Sequence, residues 1–162
     1  MKNINCDKLL VRLQNLFDEW KKEAGFNATF KELDEIFFIE DYILASGFVS
    51  SKVNRMICGR IVDTYNNWIG RIHSWLVPTP YSLISTSESH LFNEAEKEEL
   101  KMILKELMAF VSQNAVVGLT KDSKMEAGFV DKSLSLWKKH LQTLVKYSSK
   151  VHEYWKREAS NE

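Results

Sequence analysis

The chain has 162 residues, its formal charges balance, and it combines few helix breakers with many large apolar side chains. It holds 2 prolines and 6 glycines, and 12% of its residues are aromatic. This composition favours a packed helical protein of ordinary globular character. The net charge of +0 argues against a surface dominated by polyanion binding. A single domain over residues 1–162 is the simplest expectation for this length.

The two cysteines and the N-terminal sequence bear on where the protein resides. Cys6 and Cys58 are too few for a disulfide scaffold and lack C-x-x-C spacing. The N-terminal MKNINCDKLL lacks the apolar region of a secretion signal, and no apolar run approaches the roughly 18 residues of a membrane span. We therefore expect reduced thiols, a cytoplasmic location and no membrane contact.

Apolar periodicity predicts five helical segments in chain order. They cover residues 5–24, 29–47, 51–76 and 93–118, and a fifth begins at 123. Strand signals are confined to Phe48-Val49 and Leu83-Ile84, which both lie in connectors. We predict an all-α fold, an antiparallel (up-down) four-helix-type bundle with one or two additional shorter helices.

Start signals support three of these segments. A side-chain cap followed three residues later by glutamate is the pattern of a capping box. The pairs are Thr29 with Glu32, Asn93 with Glu96, and Ser123 with Glu126. Residues 30–76 form either one kinked helix or two, and a single helix would span about 70 Å at 1.5 Å per residue. A break at Ser46-Gly47 fits the other helix lengths better.

The segment 51–76 is unusual because it carries two stripes. The apolar stripe comprises Val53, Ile57, Ile61, Tyr65, Trp68, Ile72 and Trp75. The second stripe is small and polar, and comprises Gly59, Asp63, Asn66, Gly70 and Ser74. Glycine inside a helix costs roughly 1 kcal/mol relative to alanine, so two of them suggest a closely packed partner. That partner is another helix of the chain, a second subunit, or a ligand.

Polar residues near the same segment are candidates for ligand binding. Glu40 falls on the apolar stripe of the preceding segment, where burial would raise its pKa unless Arg60, Arg71 or a lysine pairs with it. Arg71 would contact an anionic group, and His73 is a candidate proton carrier. Both precede the connector 76–92, which we expect to pack Tyr81, Leu83 and Ile84 onto the bundle. Asn114 and Ser148 also fall on apolar stripes, so with Glu40 they form a register-fixing polar layer or the floor of a pocket.

Motifs for metal and cofactor chemistry are missing from the sequence. No carboxylate stands three or four residues before any of the four histidines, which argues against a helical di-iron site. Surface or edge positions are expected for these histidines. G-x-G-x-x-G, G-x-x-x-x-G-K-[ST] and G-x-S-x-G are absent as well. The sequence therefore predicts no metal and no cofactor, and it favours a non-enzymatic role.

Residues 30–60 resemble the centre of a DNA-reading helix-turn-helix, with Gly47 in the turn and Val53 and Met56 at packed positions. The acidic preceding segment would repel phosphates, so nucleic acid is a minor alternative. A basic side on the last segment is expected to pair with acidic neighbours, and comprises Lys139, Lys146, Lys150 and Arg157.

These patterns together favour a non-catalytic interaction or assembly module. We expect it to form a homo-oligomer or to bind a protein partner through the small-residue stripe of segment 51–76. Two alternatives stay open, a small-molecule-binding bundle or enzyme with a site near the end of that helix, and the DNA-binding regulator.

Overall fold

Seven α-helices make up the part of the chain that the computed structural model describes, residues 3–160. They are α1 (Asn3–Ala24), α2 (Phe30–Phe37), α3 (Ile39–Ser46), α4 (Val53–Leu76), α5 (Leu83–Ser89), α6 (Glu94–Thr120) and α7 (Ser123–Ser160). Within these residues no strand forms. The all-α prediction of a bundle built on long helices is confirmed, with three short helices instead of one or two.

The extra short helix arises because the second predicted segment is broken at Phe38. This residue has φ 52°, in the left-handed region, and its N–H donates to the Asp34 carbonyl at 2.8 Å. A bulky residue rarely adopts this conformation, so its sequence carries no break signal. The predicted break at Gly47 is confirmed, with φ 68°. Residues 30–76 therefore form three helices.

Two of the three predicted helix caps form as expected and the third is wrong. The correct ones are Thr29 with Glu32 and Asn93 with Glu96. At the start of α7, the Asp122 carboxylate accepts the N–H groups of Lys124 and Met125 at 2.8 and 3.3 Å. Asp122 is thus the capping side chain. Glu126 is instead buried inside the protein, at 1% exposure.

The chain groups into two compact units, and α4, α6 and α7 contribute to both. The first holds residues up to Tyr65 together with Phe110–Ser135, and the second holds Asn66–Ala109 together with the residues from Leu136 onward. In the first unit, the rings of Phe110 and Phe129 stack at 4.3 Å. The Tyr65 hydroxyl donates to the Ser133 carbonyl at 2.7 Å, which joins α4 to α7.

In the second unit α6 and α7 run antiparallel, as their ion pairs show. Rising numbers on α7 meet falling numbers on α6, in the pairs Lys139–Glu106 at 2.7 Å, Lys146–Glu99 at 4.0 Å and Lys150–Glu96 at 2.6 Å. The expectation that the basic side of the last helix pairs with acidic neighbours is confirmed for these three lysines.

The connector after α4 differs from its prediction. Tyr81, Leu83 and Ile84 are exposed, so they do not pack onto the bundle. The polar face of α5 is buried instead, because its groups find partners. Ser85 Oγ accepts the Thr79 N–H at 2.9 Å, and Glu88 accepts two tryptophan indole N–H groups.

Helix α6 is long and apolar enough to cross a membrane by length and composition alone, with a window of mean hydropathy 1.3 of which 22% is buried. The sequence expectation counted uninterrupted apolar residues and found no run as long as a membrane span. A mean over 18 residues can be apolar even when a few charged residues are included. Core helices pass the same test, so the window does not place α6 in a bilayer.

Candidate functional site

The small-residue stripe of α4 is exposed at its three middle residues and half-buried at its two ends. Asp63, Asn66 and Gly70 are exposed, while Gly59 and Ser74 are half-buried. A Cβ built at Gly59 or Gly70 would meet no atom within 4 Å among the described residues. The first of the three predicted partners, another helix of the same chain, is therefore wrong. A second subunit and a ligand are left as explanations for the glycines.

The three candidate ligand-binding residues are divided between the two units. Glu40 belongs to the first unit, and Arg71 and His73 belong to the second. Arg71 and His73 are exposed, and the Arg71 guanidinium lies 5.8 Å from the centre of the Trp75 ring. No single compact unit therefore contains all three candidate residues.

Glu40 is half-buried at the start of α3. Burial and, to a smaller extent, the nearby carboxylates of Asp34 and Asp41 raise its pKa above the usual value. Its backbone N–H donates to Asp34 Oδ1 at 2.7 Å. Arg60, one of its expected partners, instead donates from Nε to the Phe37 carbonyl at 2.8 Å. The arrangement joins α2 to α3 across the break at Phe38.

A shallow apolar groove of about 380 Å³ lies between α4 and α7 in the second unit. Trp68 and Val145 form part of its walls, and Ser148 lies in it. The Ser148 hydroxyl is buried and makes no hydrogen bond to any residue in 3–160. Ser148 thus lines a pocket, but Glu40 and Asn114 belong to the first unit and do not line this groove, so the predicted joint layer or pocket floor of the three residues is not seen within either unit.

A second, more polar cavity lies in the first unit, where α4 begins, α6 ends and α7 begins. We call it the Arg55–Glu126 cavity; its volume is about 340 Å³, and it is lined by Lys52, Asn54, Arg55, Gly118, Lys121 and Glu126. The sequence did not predict this site. Glu126 was interpreted as a helix cap, and Arg55 carried no local signal.

The cavity contains a pair of opposite charges, the half-buried Arg55 and the buried Glu126. Arg55 Nε lies 3.5 Å from Glu126 Oε1, and Asn54 Nδ2 donates to the other carboxylate oxygen. Arg55 Nη2 also donates to Asn114 Oδ1 at 3.2 Å, so the predicted polar role of Asn114 is the positioning of a guanidinium. Arg55 Nη1 and Glu126 Oε1 are buried and have no hydrogen-bond partner among the described residues.

The four histidines were expected at surface or edge positions. His73, His90 and His152 are exposed, as expected. His140 is instead 7% exposed, with its Nε2 2.8 Å from Glu106 Oε2, so the surface prediction is wrong for this residue. Across residues 3–160, no three metal-ligating side chains converge.

The predicted helix-turn-helix resemblance fails in its turn. Residues 47–52 separate α3 from α4, a longer connection than the three or four residues of a helix-turn-helix. The geometry lends no support to DNA reading.

Comparison with known proteins gives no functional information. No family model matches the chain, and searches of curated proteins and of solved structures found no significant similarity.

Proposed function

We propose that this protein is a non-catalytic assembly module that pairs with a second copy of itself through the open face of α4. The observation that carries the proposal is the open space around Gly59 and Gly70. Each glycine costs roughly 1 kcal/mol of helix stability relative to alanine, and among the described residues no atom lies close enough to exclude a Cβ at either position. Close approach of a partner would supply the compensation.

A second copy is the partner that fits the spacing of the stripe. Gly59, Asp63, Asn66 and Gly70 are separated by four, three and four residues, a pattern that reads the same in both directions. Two α4 helices related by an antiparallel twofold axis therefore place Gly59 opposite Gly70 of the partner subunit. Such an isologous contact is the usual form of a homodimer interface.

The same axis places Asp63 opposite Asn66 of the partner subunit. The amide of asparagine can donate to the carboxylate of aspartate, and the twofold repeats this hydrogen bond. Both side chains are exposed in the single chain, so pairing does not require the fold to change. Polar interfaces of modest area belong to weak or transient complexes, so we expect a concentration-dependent dimer.

Charge substitutions at Asn66 test this pairing with opposite signs. Asn66→Asp places its carboxylate opposite Asp63 of the partner subunit, and the twofold axis repeats this repulsive pair. Asn66→Lys creates two attractive pairs at the same positions. Exposed pairs are worth about 0.5 kcal/mol each, so we expect dissociation constants to shift about fivefold, upward for aspartate and downward for lysine. Sedimentation velocity over a concentration series measures both.

Asn67 provides the matched control, since it is exposed on α4 beside the stripe. Asn67→Asp and Asn67→Lys should shift the dissociation constant less than the Asn66 pair does. Identical behaviour of all four variants, or a purely monomeric wild type, would refute the proposal.

A further inference from the structure

We infer that the Arg55–Glu126 cavity binds a small phosphate monoester that also carries a hydroxyl group. This inference is independent of self-association through α4. It depends on the donors, acceptors and charges that surround about 340 Å³ of space in the first unit.

Two buried atoms of opposite hydrogen-bonding character, on residues that line this cavity, make no hydrogen bond to any described residue, although Glu126 Oε1 lies 3.5 Å from Arg55 Nε in an ion pair. Arg55 Nη1 is a cationic donor, and Glu126 Oε1 is an anionic acceptor. Glu126 is 1% exposed, so bulk water does not reach its carboxylate freely. Leaving one atom of a buried charged group without a hydrogen bond is unfavourable. A ligand with both an acceptor and a donor would satisfy both atoms.

The charge balance of the walls favours a dianion. Lys52, Arg55 and Lys121 supply three positive charges, and Glu126 supplies the one negative charge among the lining residues. A phosphate monoester carries about −1.5 to −2 at neutral pH, which matches the excess. The first residues of α4 lie at the positive end of its dipole, which also attracts phosphate. A carboxylate would neutralise only part of this charge.

The guanidinium is held in place before any ligand arrives. Asn114 fixes Nη2, and Glu126 lies beside Nε. Gly118 permits this position, since a Cβ there would lie 3.1 Å from Arg55 Nη2. Nη1 is the guanidinium nitrogen that is left without a hydrogen bond. An anchored donor loses little entropy on binding, which favours affinity.

The Glu126 carboxylate gives the site its preference for a hydroxyl group. An ionised carboxylate accepts hydrogen bonds and donates none, so Oε1 repels a bare phosphate oxygen and attracts an O–H. A phosphate group near the lysines and a hydroxyl group near Glu126 would therefore be recognised together.

Calorimetric titration of the full chain tests the site with four probes, namely glycerol 3-phosphate, inorganic phosphate, lactate and glycerol. Glycerol 3-phosphate should bind most tightly, and glycerol should not bind measurably. The double variant Lys52→Gln/Lys121→Asn should lose about two- to threefold in affinity per lysine, the value of one exposed charge pair. The matched double variant Lys31→Gln/Lys124→Asn, with two exposed lysines of the same unit outside the cavity lining, should bind like the wild type.

Glu126→Gln separates recognition of the hydroxyl group from recognition of charge. Inorganic phosphate should bind at least as tightly as before, because a negative charge is removed. The advantage of glycerol 3-phosphate over inorganic phosphate should shrink. The inference is overturned if no probe binds, if lactate binds as tightly as glycerol 3-phosphate, or if both lysine double variants lose affinity equally. The lysine variants remain informative if Glu126→Gln does not fold, since both lysines are exposed.

Discussion

Replacing Glu88 with alanine removes an acceptor that two tryptophans of the second unit share. Trp75 Nε1 donates to one carboxylate oxygen at 2.8 Å, and Trp155 Nε1 donates to the other at 3.0 Å. Glu88 is 6% exposed and Trp75 is 0% exposed, whereas Trp155 is half-buried. The substitution therefore leaves one indole N–H fully buried and one within reach of water.

The expected cost follows from these two environments. A buried donor without its partner costs about 1–3 kcal/mol, and the lost bond of a donor that water can reach costs about 1 kcal/mol. We expect Glu88→Ala to lower the free energy of unfolding by about 3 kcal/mol. Glu88→Gln should cost less, because its amide oxygen still accepts from one indole. Trp75→Phe should cost more than Trp155→Phe.

Urea unfolding followed by far-UV circular dichroism measures these differences, with Glu153→Ala as an exposed control on α7. Surface substitutions usually stay within about 0.5 kcal/mol. If Glu88→Ala lies within that margin of Glu153→Ala, the reasoning that α5 is held by the shared carboxylate is wrong.

Three further predictions concern single residues. Gly70→Ala should raise the free energy of unfolding of the dilute chain by about 1 kcal/mol, since its Cβ enters open space; a decrease in urea unfolding would contradict this. The Lys150 hydrogen bond lowers the pKa of Glu96, so its stabilisation is present above pH 4.5 and is lost as the pH falls through the folded-state pKa. The destabilisation caused by Glu96→Gln should therefore shrink between pH 7 and pH 3 in urea titrations; an unchanged difference would refute it. Burial raises the pKa of Cys58 to about 12, so thiol labelling at pH 8 should modify Cys6 in the folded chain and Cys58 only after opening; equal rates would contradict this.

The features that sequence predicted correctly are local ones. The Thr29 cap and the end of a helix at Gly47 depend on a few neighbouring residues, and both formed as expected. The apolar stripe of α4 was also correct in its buried members, because helical periodicity alone decides which side faces the core. Local chemistry was therefore sufficient for the fold class.

The errors arose where tertiary contacts override local pattern. Phe38 adopts a conformation that its sequence disfavours, and the preceding Phe37 carbonyl accepts a hydrogen bond from Arg60, a residue distant in sequence. Glu126 has the spacing of a cap but is drawn inward by Asn54 and Arg55, residues distant in sequence. The Arg55–Glu126 cavity could not be predicted, because its walls come from three helices whose neighbours the apolar stripes do not specify.

The central claim, that the open face of α4 pairs with a second copy, is tested most directly by the molar mass of the protein in solution. Light scattering over a dilution series should give twice the 18.9 kDa chain mass at high concentration and fall toward one chain on dilution. Gly70→Leu, at an exposed position where a Cβ meets no described atom within 4 Å, should remain folded and stay near the mass of one chain throughout. A wild-type mass of one chain at every concentration, or a dimer that Gly70→Leu does not weaken, would contradict the account.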